Sequence, residues 1–155
     1  MTPAVNRLKK EKIPHTLHSY DHDSTVKSFG REAVEKLTLS AHQVFKTLVV
    51  LCDNTELVVA VLPVSRQLDL KSFAKLMKFK KADMAAPGQV ERATGYLVGG
   101  VSPIGQKKSL RTVIDASARS FDTIFVSGGK RGLQIELSLK DLLALTRGDV
   151  NHIGR

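Results

Sequence analysis

The sequence predicts a single α+β domain spanning residues 1–155, built on a curved, partly closed mixed β-sheet surrounded by helices. Three observations lead there. Two β-branched, apolar runs, Phe45–Cys52 and Glu56–Pro63, flank Asp53-Asn54-Thr55, which is the pattern of a β-hairpin. Helical and strand signals follow one another without the regular alternation that a doubly wound parallel sheet requires. A chain of 155 residues, 42% hydrophobic and 25% charged, is long enough to bury about 68–70% of its unfolded surface around one core, with no disulfide or structural metal.

Taken in order, Thr2-Pro3 opens a helix, with Thr as N-cap and Pro at the first helical position, where its missing N–H leaves no helical bond unmade. Val5 and Leu8 share one face of it, and Pro14 ends it. Thr16–Tyr20 is read as a short strand and Phe29–Leu39 as a helix with Ala33, Val34 and Leu37 on one face. The hairpin comes next. Asp69 then caps a helix over Leu70–Phe79 that buries Phe73, Ala74 and Met77 and turns Lys71, Lys75 and Lys78 outward. Pro87 opens a short helix that closes before Gly95, a residue suited to a left-handed C-terminal position. Thr112–Asp115, Thr123–Ser127 and Leu133–Leu137 are expected strands. Ser138-Leu-Lys-Asp141, a variant of the capping box, starts the last helix, Leu139–Leu145.

Lys and Arg number 24 against 15 Asp and Glu, a net charge of +9, and this points to an anionic partner, nucleic acid ahead of membrane. The N-terminal decapeptide lacks the apolar stretch of a signal peptide. The longest apolar runs, Leu48–Cys52 and Leu57–Pro63, fall far short of the roughly 20 residues that span a bilayer. A cytoplasmic protein without membrane contact is expected. The single cysteine, Cys52, excludes an intrachain disulfide, and its place after Leu48-Val-Val-Leu51 marks it as a small hydrophobe.

Candidate chemistry is confined to a few segments. His15, His18, Asp21, His22 and Asp23 have a metal-like composition, but on a strand His15 and His18 point to opposite faces, so a solvated strand end is expected and no metal or other cofactor. No Gly-x-Ser-x-Gly elbow, His-Glu-x-x-His or Ser-x-x-Lys signature supplies a conventional nucleophile. Two Gly-rich segments, Gly95–Lys108 and Ser127–Gly132, allow backbone N–H groups to approach a ligand. Gly100-x4-Gly105 approximates a P-loop but carries Gln106 where Lys must stand. The adjacent Lys107, Lys108, Arg111, Lys130 and Arg131 favour an anion. Lys46, alone within Val44–Val50, is either an outward-facing residue or a functional one, because an unpaired buried ammonium is expensive.

Six blocks in order, Met1–Val5, His18–Asp23, Phe45–Leu48, Gln67–Lys71, Thr94–Lys108 and Val126–Leu133, resemble the YbaK family of Cys-tRNA(Pro) deacylases, related to the editing domain of prolyl-tRNA synthetases. The resemblance implies a pocket for the terminal aminoacyl-adenosine and hydrolysis of cysteine mischarged onto tRNA(Pro). It further implies a mechanism in which the substrate thiol attacks its own ester, together with a prolyl-tRNA synthetase partner. By position, Lys46 is the implied catalytic residue. Tyr20, Phe29, Thr47, the loop Gly99, Gly100, Val101, Ser102 and Pro103, and Ser127 with Gly128 would bind substrate. Ser127 and Thr47 stand where the alanine-editing branch carries His and Asn, which favours cysteine; Gln134 stands where the family carries Asp. Lys71, Lys75, Lys78, Lys107, Lys108, Arg111, Lys130 and Arg131 are expected to hold the tRNA body. A catalytically silent tRNA- or synthetase-binding member and a deacylase for another substrate such as Ala-tRNA(Pro) are the alternatives.

Overall fold

The structure is a computed structural model describing residues 1–26 and 28–155. Its elements run α1 (Pro3–Lys10), β1 (Thr16–Ser19), α2 (Phe29–Leu37), β2 (Phe45–Cys52), β3 (Glu56–Pro63), α3 (Leu70–Leu76), β4 (Ala82–Met84), α4 (Pro87–Thr94), β5 (Arg111–Asp115), β6 (Ile124–Ser127), β7 (Leu133–Leu137), α5 (Leu139–Thr146) and β8 (Asp149–Asn151), with a 3-10 turn over Ala116–Ser120. The hairpin boundaries are those expected from sequence. β4 and β8 were not expected: each is three residues long and lacks a β-branched run. Helices α2 and α3 stop earlier than expected, α2 because Thr38 adopts a left-handed conformation.

The mixed sheet is divided in two. β4-β2-β3-β5-β8 form a five-stranded sheet and β1-β7-β6 a three-stranded antiparallel one. Within the larger sheet β2 pairs antiparallel with both β3 and β4, while β3–β5 and β5–β8 are parallel. A parallel bridge, Val44 to Phe125, joins the sheets and partly closes the structure.

Strand alternation sorts the core. Val59 and Val61 of β3 face a large cluster shared with α1, α5, β6 and β7, whereas Val58, Ala60 and Leu62 face a second cluster under α3. β3 is thus buried on both faces, which explains its continuous apolar run. A third, smaller cluster of Ala33, Val44, Val64 and Phe125 seats α2 over the junction between the sheets. Thr2 joins two distant parts of the chain: its hydroxyl accepts from the Val5 N–H as the cap of α1 and donates to the Gly128 carbonyl. No helix among the described residues is long and apolar enough to cross a membrane.

Candidate active site

β2 has one edge fully paired with β3 and another only partly covered. On the second edge β4 pairs with Val50–Cys52, the Ala85 N–H donates to the Val49 carbonyl at 3.0 Å, and the Phe125 N–H donates to the Gln43 carbonyl at 3.1 Å. Between these bonds no strand among the described residues covers residues 46–48. Because peptide groups alternate in direction along a strand, the N–H and C=O of Thr47 face this gap. A cleft of about 320 Å³ occupies it. Six consecutive residues, Val44–Val49, line it, as a strand edge does and a strand face cannot.

The opposite walls come from the ends of other elements. Tyr20, just beyond β1, and Phe29 and Gly30 at the start of α2 form one wall; Ser127, Lys130, Arg131 and Gln134 form another; Met84, Ala85, Pro87 and Val90 form a third. The loop after α4 supplies Val98, Gly99 and Val101. Glycine is required at two points of that loop. Gly99 has φ +95°, and a Cβ there would stand 2.8 Å from the Phe29 ring. A Cβ on Gly100 would stand 2.8 Å from the Lys130 Cα. The loop can pass between these neighbours only without side chains. Tyr96 pins it by donating its hydroxyl proton to the Ile104 carbonyl at 2.7 Å.

Of the residues expected to act on substrate, Lys46, Tyr20, Phe29, Thr47, Gly99, Val101 and Ser127 all line the cleft. Gly100, Ser102, Pro103 and Gly128 do not. Gly100 packs on the Lys130 backbone, the Ser102 hydroxyl accepts from the Ile104 N–H at 3.2 Å, and Gly128 is bonded to Thr2 and Leu133; all three brace the wall from behind. Pro103 lies on a different groove. Lys130 and Arg131, assigned to the tRNA body, line the cleft instead, and Arg131 is locked. Its guanidinium lies 4.4 Å over the Phe29 ring, pairs with buried Glu32 at 3.4 Å, and donates to the Asp23 and Val26 carbonyls. Lys71, Lys75, Lys78, Lys107, Lys108 and Arg111 are exposed and outside the cleft. Of the His and Asp residues near β1, His18 Nε2 lies 2.9 Å from Glu136 Oε1 and the His15 ring contacts the Ile13 carbonyl.

Lys46 is half-buried, and its ammonium donates to the Arg66 carbonyl at 2.6 Å. Burial, aided by the Arg31 charge, lowers its pKa. Three cations, Lys46, Lys130 and Arg131, line the cleft, and no carboxylate, histidine or cysteine does so among the described residues. Three buried polar side-chain atoms there lack a hydrogen-bond partner: Thr47 Oγ1, Arg131 Nε and Gln134 Oε1. All three belong to lining residues. Unpartnered buried polar atoms are uncommon in native structures, and three of them in one cleft leave bonding capacity there that water or a ligand can take up.

Residues 23–145 match the family model described as aminoacyl-tRNA editing domain. The chain belongs to that family. It is 38% identical over 156 residues to a protein of Enterococcus faecalis described as "Putative Cys-tRNA(Pro)/Cys-tRNA(Cys) deacylase EbsC", covering 98% of this chain and 92% of that one. It is 30% identical over 111 residues to the uncharacterized protein YwhH of Bacillus subtilis, covering 72% and 70%. Among solved structures, a "putative trans-editing enzyme for prolyl tRNA synthetase" superposes with TM-score 0.83 at 22% identity, covering 100% of this chain and 99% of that one. The hypothetical protein APE2540 gives 0.86 at 23% identity, covering 99% and 100%. These structural likenesses establish the editing-domain fold. Pro87, Val90, Met84 and Ala85 are lining residues that sequence reasoning missed; their only signal was the helix start at Pro87.

Proposed function

We propose that the chain is a trans-editing deacylase that releases cysteine from mischarged Cys-tRNA(Pro), with the substrate's own thiol as nucleophile. The observation that carries this reading is the chemistry of the cleft. It offers hydroxyls on Tyr20, Ser28, Thr47 and Ser127 but neither histidine nor carboxylate, among the described residues, to activate them. A substrate that brings a thiol, with a pKa near 8.5, supplies what the walls lack.

The thiolate sulfur attacks the carbonyl carbon of the ester, the carbon–oxygen bond to the ribose breaks, and the thiol proton passes to the departing ribose oxygen. The product is a cyclic thiolactone, which water opens to free cysteine. The protein contributes position and charge. Lys46, Lys130 and Arg131 favour the thiolate and the developing oxyanion, and the locked Arg131–Phe29 wall holds the ester against the β2 edge. The orphaned Thr47 and Gln134 oxygens accept from the substrate's α-amino group. Exposed apolar side chains at the mouth, Met84 at 48% and Val98 at 50%, contact the terminal adenine. Such a step is needed because a synthetase pocket that admits proline cannot exclude a side chain of similar size by binding alone. Action on tRNA in the cytoplasm, alongside prolyl-tRNA synthetase, follows from this reading.

The test is a side-by-side rate measurement on Cys-tRNA(Pro) and Ser-tRNA(Pro). The side chains are nearly isosteric, so a ratio of about a hundred or more, near 2.7 kcal/mol, supports the thiol mechanism. Equal rates eliminate it.

A further inference from the structure

A second groove, about 260 Å³, opens outside the cleft between α1, the later half of the Gly-rich loop and the end of α5. Three cations line it, Arg7, Lys108 and Arg147, and no carboxylate does so among the described residues. Each comes from a separate part of the chain. Such convergence of like charge opposes folding through mutual repulsion and has no internal partner in the groove wall to offset it.

The frame that carries these charges is rigid. The Lys108 N–H donates to the Ala93 carbonyl and the Lys107 N–H to the Thr94 carbonyl, both at 2.9 Å, pinning this segment to the end of α4. Gly105, at φ +70°, lies so close to α1 that a Cβ there would stand 2.9 Å from the Pro3 carbonyl. Arg147 caps α5 in the left-handed conformation, with its N–H on the Leu143 carbonyl. The Thr112 and Thr146 hydroxyl protons are donated to the Leu110 and Leu142 carbonyls, so the cations are the main donors available to a ligand. Glu11 accepts from the Arg7 Nε as an exposed i,i+4 pair, which offsets little of that charge.

We infer that this groove binds phosphate groups of a nucleic-acid backbone, as a second anchoring point beside the cleft. One loop serves both places: Gly99 and Val101 line the cleft, while Pro103, Gly105 and Lys108 line the groove. A strand whose aminoacylated end enters the cleft is thereby held at a fixed distance along the same loop. Nucleic acid, in preference to free phosphate, rests on the function proposed above.

The probe is uncharged tRNA, whose affinity is measured over a salt series for wild type, Arg7→Gln, Lys108→Gln, Arg147→Asn and the Lys108→Gln/Arg147→Asn double variant. All three side chains are exposed, and circular dichroism verifies that each variant is folded. Each substitution is expected to weaken binding about three- to tenfold at low salt and to flatten the log–log salt slope by about 0.7–0.9 for every phosphate no longer neutralised. Glu11→Gln is expected to strengthen binding about twofold. Hydrolysis of a short cysteinyl-adenosine ester is expected to stay unchanged, because the groove does not touch the reacting atoms. An unchanged tRNA affinity and slope in the double variant overturns the proposal. Inorganic phosphate that raises the wild-type melting temperature, with tRNA binding indifferent to all three cations, overturns nucleic acid as the occupant. If no protein hydrolyses the ester, the proposed function fails, while the salt slopes still decide the groove.

Discussion

At Cys52, burial, with the Glu56 and Asp53 charges, pushes the thiol up to about 11. A fully buried thiol with so high a pKa is a poor nucleophile, and Cys52 packs with Val50, Val58 and Phe73 away from the cleft. Cys52→Ala is therefore expected to keep at least about a tenth of wild-type deacylation, near 1.4 kcal/mol at most, measured where the variant is folded. The raised pKa also has a thermodynamic sign. The folded state favours the neutral thiol, so this stabilisation is full below the unfolded pKa near 9 and is lost as pH rises from there through about 11. Urea titrations at about pH 8 and about pH 11 should show wild type losing about 2–3 kcal/mol more than Cys52→Ala. Lys46 behaves differently, because its half-buried ammonium is held on the Arg66 carbonyl at the cleft wall. Lys46→Ala should lower the rate by about a hundredfold or more, near 2.7 kcal/mol, in a protein with wild-type circular dichroism. Lys46→Arg should fail as well, since a planar guanidinium cannot replace a compact ammonium there. An active, folded Lys46→Ala removes this residue from the site.

At the scale of elements, Asp115 at the end of β5 ties the C-terminal segment to the sheet. Its buried carboxylate accepts from the N–H groups of Ile153 at 3.0 Å, Gly154 at 2.8 Å and Ser117 at 3.2 Å, and from the Ser117 hydroxyl. Burial alone would raise its pKa, but the hydrogen bonds from Ser117, Gly154 and Ile153 outweigh it and hold the carboxyl below its ordinary value. The contribution is full above the unfolded pKa near 3.9 and is lost as pH falls through the lower folded value. Asp115→Ala leaves those donors unanswered and is expected to cost about 2–4 kcal/mol. Amide exchange should show β8 and residues 153–154 exposed first. Wild-type protection of that segment in Asp115→Ala would refute the assignment. The two-sided burial of β3 and the open edge of β2 are likewise properties of elements, and the cleft exists because β4 pairs with only the last three residues of β2.

Across the whole molecule, the +9 charge is not spread evenly in role. Lys46, Lys130 and Arg131 line the cleft, Arg7, Lys108 and Arg147 line the second groove, and Lys71, Lys75 and Lys78 stand exposed on α3 and its C-terminal end. If the α3 lysines touch the tRNA body, replacing all three by Gln should flatten the log–log salt slope of tRNA affinity by about 0.9 for each phosphate they had neutralised. An unchanged slope frees α3 from that role. Phosphate binding of this kind positions the nucleic acid and carries no base information, so tRNA selectivity is a separate measurement.

The hairpin, the capped starts of α1, α3 and α5 and the Gly-rich loops were legible in the sequence, because β-branched runs, N-cap residues and glycines act over a few neighbouring positions. Six blocks of residues also carried the family resemblance, and with it Lys46, Tyr20, Phe29 and Thr47. The short strands β4 and β8 left no such trace, since pairing with β2 and β5, not their own residues, makes them strands. Arg131 looked like a surface cation beside glycines; only the tertiary structure places buried Glu32 and the Phe29 ring against it. Which side of the Gly-rich loop faces the cleft and which faces the groove was decided in the same way, by what packs behind Gly100 and Gly105. Local chemistry fixes a residue's conformation, but its environment is set by chain segments that lie far away in the sequence, as Thr2 and Gly128 do.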